Sequence, residues 1–457
     1  YEAMGLQPGG PDGQWLQPVT LYRFTPARDA VASWTGPDGV SHALTGADLQ
    51  LRSSNDSGRV EITDAPVVFA GYGITAPERG WDDYGDVDVT GKVAGEPEGE
   101  LFRGEYNSAY SSSGYKKMEA LRRGAVGVIT LELDPAMWQR IAARPARTRT
   151  TTQGLDPIPF TGTVGPQTAM AWGTAAGVDH GAMATVDAGR FKAIELTGVR
   201  LSVDIEEARE EIHTYNLLAK IEGSERPDEV VIFSAHWDHV GVAAPDAHGD
   251  TVFNGAWDNA SGTSGILELA RAFSVSPQPE RTVVFAHMAA EEMGLLGAWA
   301  YSVNPVYPLE TTVADLNIDM LPLSGPTRDF AIFGKGQNTL EDDLAVLAEA
   351  EGRYVTDDRE PEQNYYFRSD HFPFARSGVP ALMPWHGVDL DEGGIEVGLP
   401  EYQALFSRDY HKRSDEWRED YDLRSAVENL TLMYRLAWDL ANSDRWPTWK
   451  ADSEFVA

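Results

Sequence analysis

The chain contains no cysteine. Structural disulfides, thiolate nucleophiles and thiolate metal sites are therefore excluded, and any metal must be held by histidine, aspartate or glutamate. Basic residues are scarce: 37 Lys and Arg stand against 71 Asp and Glu, a formal net charge of −34. A surface of that sign repels nucleic acid and anionic membrane, so neither is an expected partner. No apolar stretch reaches the roughly 18 residues that a membrane helix needs. No internal repeat and no low-complexity tract interrupts the sequence. Tyr1-Glu2-Ala3-Met4 carries no signal-peptide pattern; we read the chain as a processed product with a periplasmic or extracellular address.

What is present is enough for two or three domains with a sizeable core: 457 residues, 42% of them hydrophobic. Alternating segments such as Val19-Thr20-Leu21-Tyr22-Arg23-Phe24 predict strands in residues 1–63 that cannot make a core alone. Residues 64–195 are rich in Gly, Thr and Ala, with strand-like pieces at 67–73 and 126–130. One helix is predicted between them, with Tyr115, Met118 and Leu121 on its inner face. This segment has no cluster of metal-ligating type and forms a separate β-rich module. From 196 to 457 the pattern becomes strand, helix, strand. Apolar runs at 215–221, 230–234, 282–286, 316–320, 330–333 and 381–383 predict strands, and 425–442 predicts a long amphipathic helix. That alternation argues for an α/β layered domain on a mixed sheet.

The chemistry concentrates where the strand at 230–234 ends. His236-Trp237-Asp238-His239 follows it, and Asp258-Asn259-Ala260-Ser261-Gly262 opens the next helix. Strand ends that open toward helix starts are where open α/β sheets place ligands. A lone His at such a position is as readily a hydrogen-bonded core residue as a metal ligand. Further along come Glu291-Glu292 after the strand at 282–286, then Asp319, then Ser369-Asp370-His371, and last Tyr410-His411. Adjacent glutamates at a helix start can simply favour the helix dipole. They can equally divide the work, one on a metal and one on water, because neighbouring side chains point in different directions. Asp370 and His371 can form a structural pair, and Trp237 and Trp257 can line a pocket or pack in the core.

Taken in order, these six elements resemble the co-catalytic di-zinc peptidases of metallopeptidase family 28, which include aminopeptidases, glutamate carboxypeptidases and glutaminyl cyclases. Tyr72-Gly73, Trp81-Asp82-Asp83-Tyr84 and the 116–127 segment resemble the protease-associated domain inserted in such enzymes. The resemblance implies a mixed-sheet three-layer zinc-exopeptidase fold: residues 1–63 as the first part of the peptidase domain, 64–195 as the insert, 196–457 as the zinc peptidase domain. It implies two Zn²⁺, with Mn²⁺ or Co²⁺ also compatible with nitrogen and oxygen donors. His236, Asp258 and Asp319 would hold one ion; Asp258, Glu292 and His411 would hold the other, with Asp258 shared. Glu291 would be the general base, Tyr410 the oxyanion donor, and Asp238 would orient His236 through its second ring nitrogen. Arg368 and His371 would contact the substrate. His239 would be a loop residue or an outer partner of the site. The implied function is a hydrolase, a metallopeptidase that acts as an exopeptidase on peptides with a free N-terminus. The alternatives are a carboxypeptidase or glutaminyl cyclase of the same fold, and an inactive receptor-like module. Retention of Glu291 and all five ligand side chains argues against the last.

Overall fold

Val230-Val231-Ile232-Phe233 is fully buried, as expected of a central strand covered on both faces. The computed structural model describes residues 1–97, 108–144, 148–152, 154–155, 158–178 and 192–455. The chain divides into two compact units: Tyr1–Thr20 with His213–Ala457, and Leu21–Ile212.

In the first unit the strand order is built from β1 (Ile194–Ile221, contributing its 213–221 part), β2 (Arg226–His236), β3 (Arg281–Met288), β4 (Thr312–Asn317) and β5 (Ala381–Leu382). They lie in the order β5-β4-β2-β3-β1. The pairs β2/β3, β2/β4 and β4/β5 are parallel, and β1/β3 is antiparallel. The sheet is therefore mixed, as expected. Val231 and Phe233 of β2 and Val283 and Phe285 of β3 pack in one core with Ile266, Leu269 and Phe273 of helix α1 (Ser261–Ser274) and Leu432 and Leu436 of helix α3 (Arg424–Ala441). Each such side chain contributes about 1.5–3 kcal/mol through burial. Helix α2 (His371–Arg376) contacts β4 and β5.

Parallel pairing aligns the carboxyl ends of β2, β3 and β4. His236 lies opposite Met288, and Ser234 opposite Asn317. Everything that follows those strand ends emerges along one edge of the sheet, where α/β proteins bind ligands. The predicted strand at 316–320 proves to be β4, shifted to 312–317. The chain turns out of the sheet there, and Met320 takes a left-handed backbone conformation with φ 58°.

The second unit is a β-rich sheet in which Arg59–Phe69, Val93–Pro97, Gly127–Leu131 and Phe160–Val164 run side by side in parallel, with Leu49–Ser53 antiparallel at one end. Its core gathers Val67, Phe69, Val93, Ile129 and Phe160. The unit is wider than the expected 64–195 module. Val31–Thr35 and Arg59–Phe69 pair with the 194–212 part of β1, so residues 21–63 pack there. The helix Ser113–Arg122 packs Tyr115 and Leu121 against core clusters as expected, but it also buries Lys116, Glu119 and Ala120 and leaves Met118 exposed.

Candidate metal centre and active site

Four loops at the carboxyl edge of the first unit's sheet converge. His236 is the last residue of β2. Asp258 sits on the loop entering α1, Glu291 and Glu292 follow β3, and Asp319 follows β4. His411 arrives from the C-terminal side of helix Gly394–Asp409. Three of these turns are bent into the left-handed region by non-glycine residues: Ala290 (φ 56°), Met320 (φ 58°) and His411 itself (φ 56°). Such conformations cost about 1–3 kcal/mol each and persist where surrounding structure over-determines them.

His236 Nε2 lies 3.2 Å from Asp258 Oδ1 and 3.3 Å from Asp319 Oδ1. His411 Nε2 lies 3.2 Å from Asp258 Oδ2 and 3.1 Å from Glu292 Oε2. Asp258 thus turns one oxygen to each histidine. Ligand bonds of about 2.0–2.1 Å at tetrahedral angles put two donors roughly 3.3 Å apart, so these spacings fit zinc. His236, Asp258 and Asp319 form one group of potential donors within 4.8 Å of one another, and His239, Asp258 and Glu292 form another.

Outer contacts hold these donors. Ser369 Oγ donates to Asp319 Oδ2 at 2.6 Å and accepts from Asn317 Nδ2 at 2.7 Å. Asp415 accepts the backbone N–H groups of Trp257 (2.7 Å) and Asp258 (3.0 Å), fixing the loop that carries the shared carboxylate. Asp238 does not do what was expected of it. Its carboxylate is 3.9 Å from His236 Nδ1, beyond hydrogen-bond reach. The ring nitrogen instead meets Asp238's own carbonyl oxygen at 3.1 Å. The carboxylate accepts the N–H of Glu291 at 3.0 Å and of Glu292 at 3.3 Å, so Asp238 positions the two glutamates.

Charge follows the same logic. Burial would raise the Asp258 carboxyl, but hydrogen bonds with His236 and His411 outweigh it and hold it well below the usual range. His411 is pulled down by burial and raised to about 9 by Asp258 and Glu292. Burial pushes Glu291 well above the usual carboxyl range, countered by His236 and reinforced by Asp319 and Asp370. Burial also raises Asp370, to about 8.

A small cavity opens onto this centre. Asp258, Glu291, Asp319, Arg368, Tyr410 and His411 form its polar side, and Phe333, Tyr365, Trp385 and Phe406 its aromatic wall. Arg368 Nη2 donates to Tyr410 Oη at 3.1 Å, which leaves the phenolic proton free for another acceptor. His371 was expected at the substrate; the structure buries it completely, against the Tyr366 ring and outside this cavity. Trp257 is likewise core, while Trp237 is exposed and stacked on Tyr215. Sequence reasoning gave Asp415 no role, although its position four residues past His411 was the available signal.

Comparison with known proteins finds similarity over part of the chain. Residues 216–435 match Peptidase family M28. The chain is 30% identical over 210 residues to leupeptin-inactivating enzyme 1 of Streptomyces exfoliatus, covering 44% of this chain and 43% of that protein. It is 33% identical over 124 residues to a probable zinc metalloprotease of Phaeosphaeria nodorum, covering 24% of each. The chain thus spans less than half the length of these curated relatives. Among solved structures, an aminopeptidase from Aneurinibacillus sp. strain AM-1 superposes with a TM-score of 0.47 at 17% identity, covering 97% of this chain and 87% of that one. Over residues 216–435, the chain carries a domain of peptidase family M28.

Proposed function

We propose that the chain is a metal-dependent aminopeptidase that releases N-terminal residues from peptides. The observation that carries this reading is the convergence of His236, Asp258, Glu292, Asp319 and His411 beside a cavity lined by Glu291, Arg368 and Tyr410. These five side chains would hold two zinc ions, and Mn²⁺ or Co²⁺ suits the same donors. When bound, such a pair lowers the pKa of water and polarises the scissile carbonyl. Glu291 takes the water proton and passes it to the leaving amine. Tyr410, its oxygen already accepting from Arg368, turns its proton toward the developing oxyanion. Glu291 and Asp319 face the cavity with carboxyl oxygens that can accept from a substrate N-terminus, and the aromatic wall receives an apolar first side chain.

Arg368 is the cavity's arginine and the feature that favours the second reading, a carboxypeptidase recognising a substrate carboxylate. The proposal extends to a non-catalytic, protease-associated role for residues 64–195, supported by the motifs at 72–73, 81–84 and 116–127. It also extends to an extracytoplasmic address, which fits a chain with no thiol to oxidise. Leucyl and phenylalanyl anilides with a free amine should be hydrolysed and their N-acetyl forms should not. Release of C-terminal residues from an N-acetylated peptide would establish the second reading instead.

A further inference from the structure

His239 does not belong to the ligand set that the resemblance supplied, yet it lies inside the centre. Its side chain is buried, 7% exposed, with Nδ1 2.7 Å from Glu292 Oε1 and 3.9 Å from Asp258 Oδ2. Its ring stands edge-on to His411, centroids 6.0 Å apart. Its place is built into the backbone. Gly255 has φ +64°, and a Cβ there would come within 2.7 Å of His239 Cγ and 2.4 Å of the Asp258 carbonyl oxygen. The loop carrying Asp258 can therefore close over the imidazole only because residue 255 is glycine.

The distances separate two roles. The four histidine–carboxylate spacings among the expected ligands run from 3.1 to 3.3 Å, the separation of donors that share one zinc. The His239–Glu292 spacing of 2.7 Å is shorter than that and falls in the range of a charge-assisted contact, about 2.7–2.9 Å. Glu292 divides its oxygens accordingly: Oε2 faces His411, and Oε1 faces His239. Among the described residues neither Oε1 nor a ring nitrogen of His239 makes an aligned hydrogen bond, so the 2.7 Å approach is a close polar contact between the two side chains.

We infer that His239 is a positioning residue for the second metal ion: it holds Oε1 of Glu292 so that Oε2 alone is presented as a ligand. This rests on the proposed two-metal reading. A carboxylate oxygen held this way cannot rotate into a second metal bond, and the ligand's orientation is set before the ion arrives. His239 and Asp238 then secure Glu292 from two directions, one at the side chain and one at the backbone N–H.

The test is zinc affinity, measured by competition with a chromophoric chelator on the full chain, for wild type, His239→Phe and His239→Asn. Phe keeps the ring and removes the nitrogens; Asn places an amide donor close to where Nδ1 stood. Wild type should bind two ions. His239→Phe should hold one ion as wild type does and the other about 10- to 100-fold more weakly, and His239→Asn should stay within a few-fold of wild type. X-ray absorption at saturating zinc should count the same imidazoles per metal in wild type and His239→Phe. Equal affinity of both ions in wild type and His239→Phe would overturn the inference. So would a lower imidazole count in His239→Phe, which makes His239 a ligand. A wild-type chain that binds no zinc at all would instead sink the two-metal reading on which the inference stands.

Discussion

Glu291 and Glu292 are neighbours with opposite prospects. Glu292 Oε2 is 3.1 Å from His411, whereas Glu291 lines the cavity. Removing the Glu291 carboxylate should therefore leave the ligand set intact and abolish proton transfer. Glu291→Gln is expected to retain both metals by elemental analysis while losing 10²–10⁴-fold in kcat/KM. Glu292→Gln should lose metal from one site. Near-normal turnover in Glu291→Gln would contradict the assignment. A second residue-scale effect concerns acid stability. His386 is buried with its Nε2 2.7 Å from the Met320 carbonyl oxygen, and burial pushes it down to about 4. Its folded value lies below the unfolded value of about 6.5, so the unfolded chain takes up the proton first. The stability contributed by neutral His386 is complete above about pH 6.5 and is lost as pH falls toward 4. The difference in urea midpoint between wild type and His386→Phe should shrink over that window, and a constant difference from pH 7 to 4.5 would refute it.

At the scale of elements, the loop 255–260 is held by Asp415, which accepts the N–H groups of Trp257 and Asp258. Asp415→Ala leaves two buried donors unpaired, at about 1–3 kcal/mol each. It should lower stability by about 2–6 kcal/mol and weaken metal retention; Asp415→Asn, which keeps one acceptor oxygen, should lose about half as much. Urea titration with and without zinc measures both. The strands that carry the site were legible in the sequence because they are short apolar runs ending in ionisable residues, as at Val230–Phe233 before His236. The last turns were not. Asp319 was placed at a strand end, but β4 stops at Asn317, and nothing in the local pattern marks Met320 as left-handed. The helix Ser113–Arg122 was read with Met118 inward because periodicity weighs apolarity alone. Glu119 is buried there instead, its carboxylate held by Arg122 and Arg123 three and four residues on and by Thr75, which only the fold brings near.

For the whole molecule, the sequence conveyed the order of the site elements better than it conveyed the limits of the units. His236, Asp258, Glu292, Asp319 and His411 are far apart in the sequence yet meet at one edge of one sheet, because parallel strands deliver their carboxyl ends to the same side and the end of helix Gly394–Asp409 brings His411 there. The unit boundary at Thr20 and Leu21 was not legible, since it falls inside the continuous strand Leu16–Pro26. Alternation predicts that strand without saying which unit each part joins. The role of Asp238 was misread for a related reason: strand spacing brings Asp238 near His236, and only the fold brings the Glu291 and Glu292 backbone to it. The account as a whole stands on metal-dependent hydrolysis by this centre. The most direct measurement depletes the full chain with phenanthroline, verifies loss of metal by elemental analysis, and follows hydrolysis of leucyl anilide before and after Zn²⁺ or Co²⁺ is restored. The account predicts two metal ions per chain in the active protein, no turnover in the depleted protein and recovery on addition; full activity in protein verified to be metal-free would contradict it.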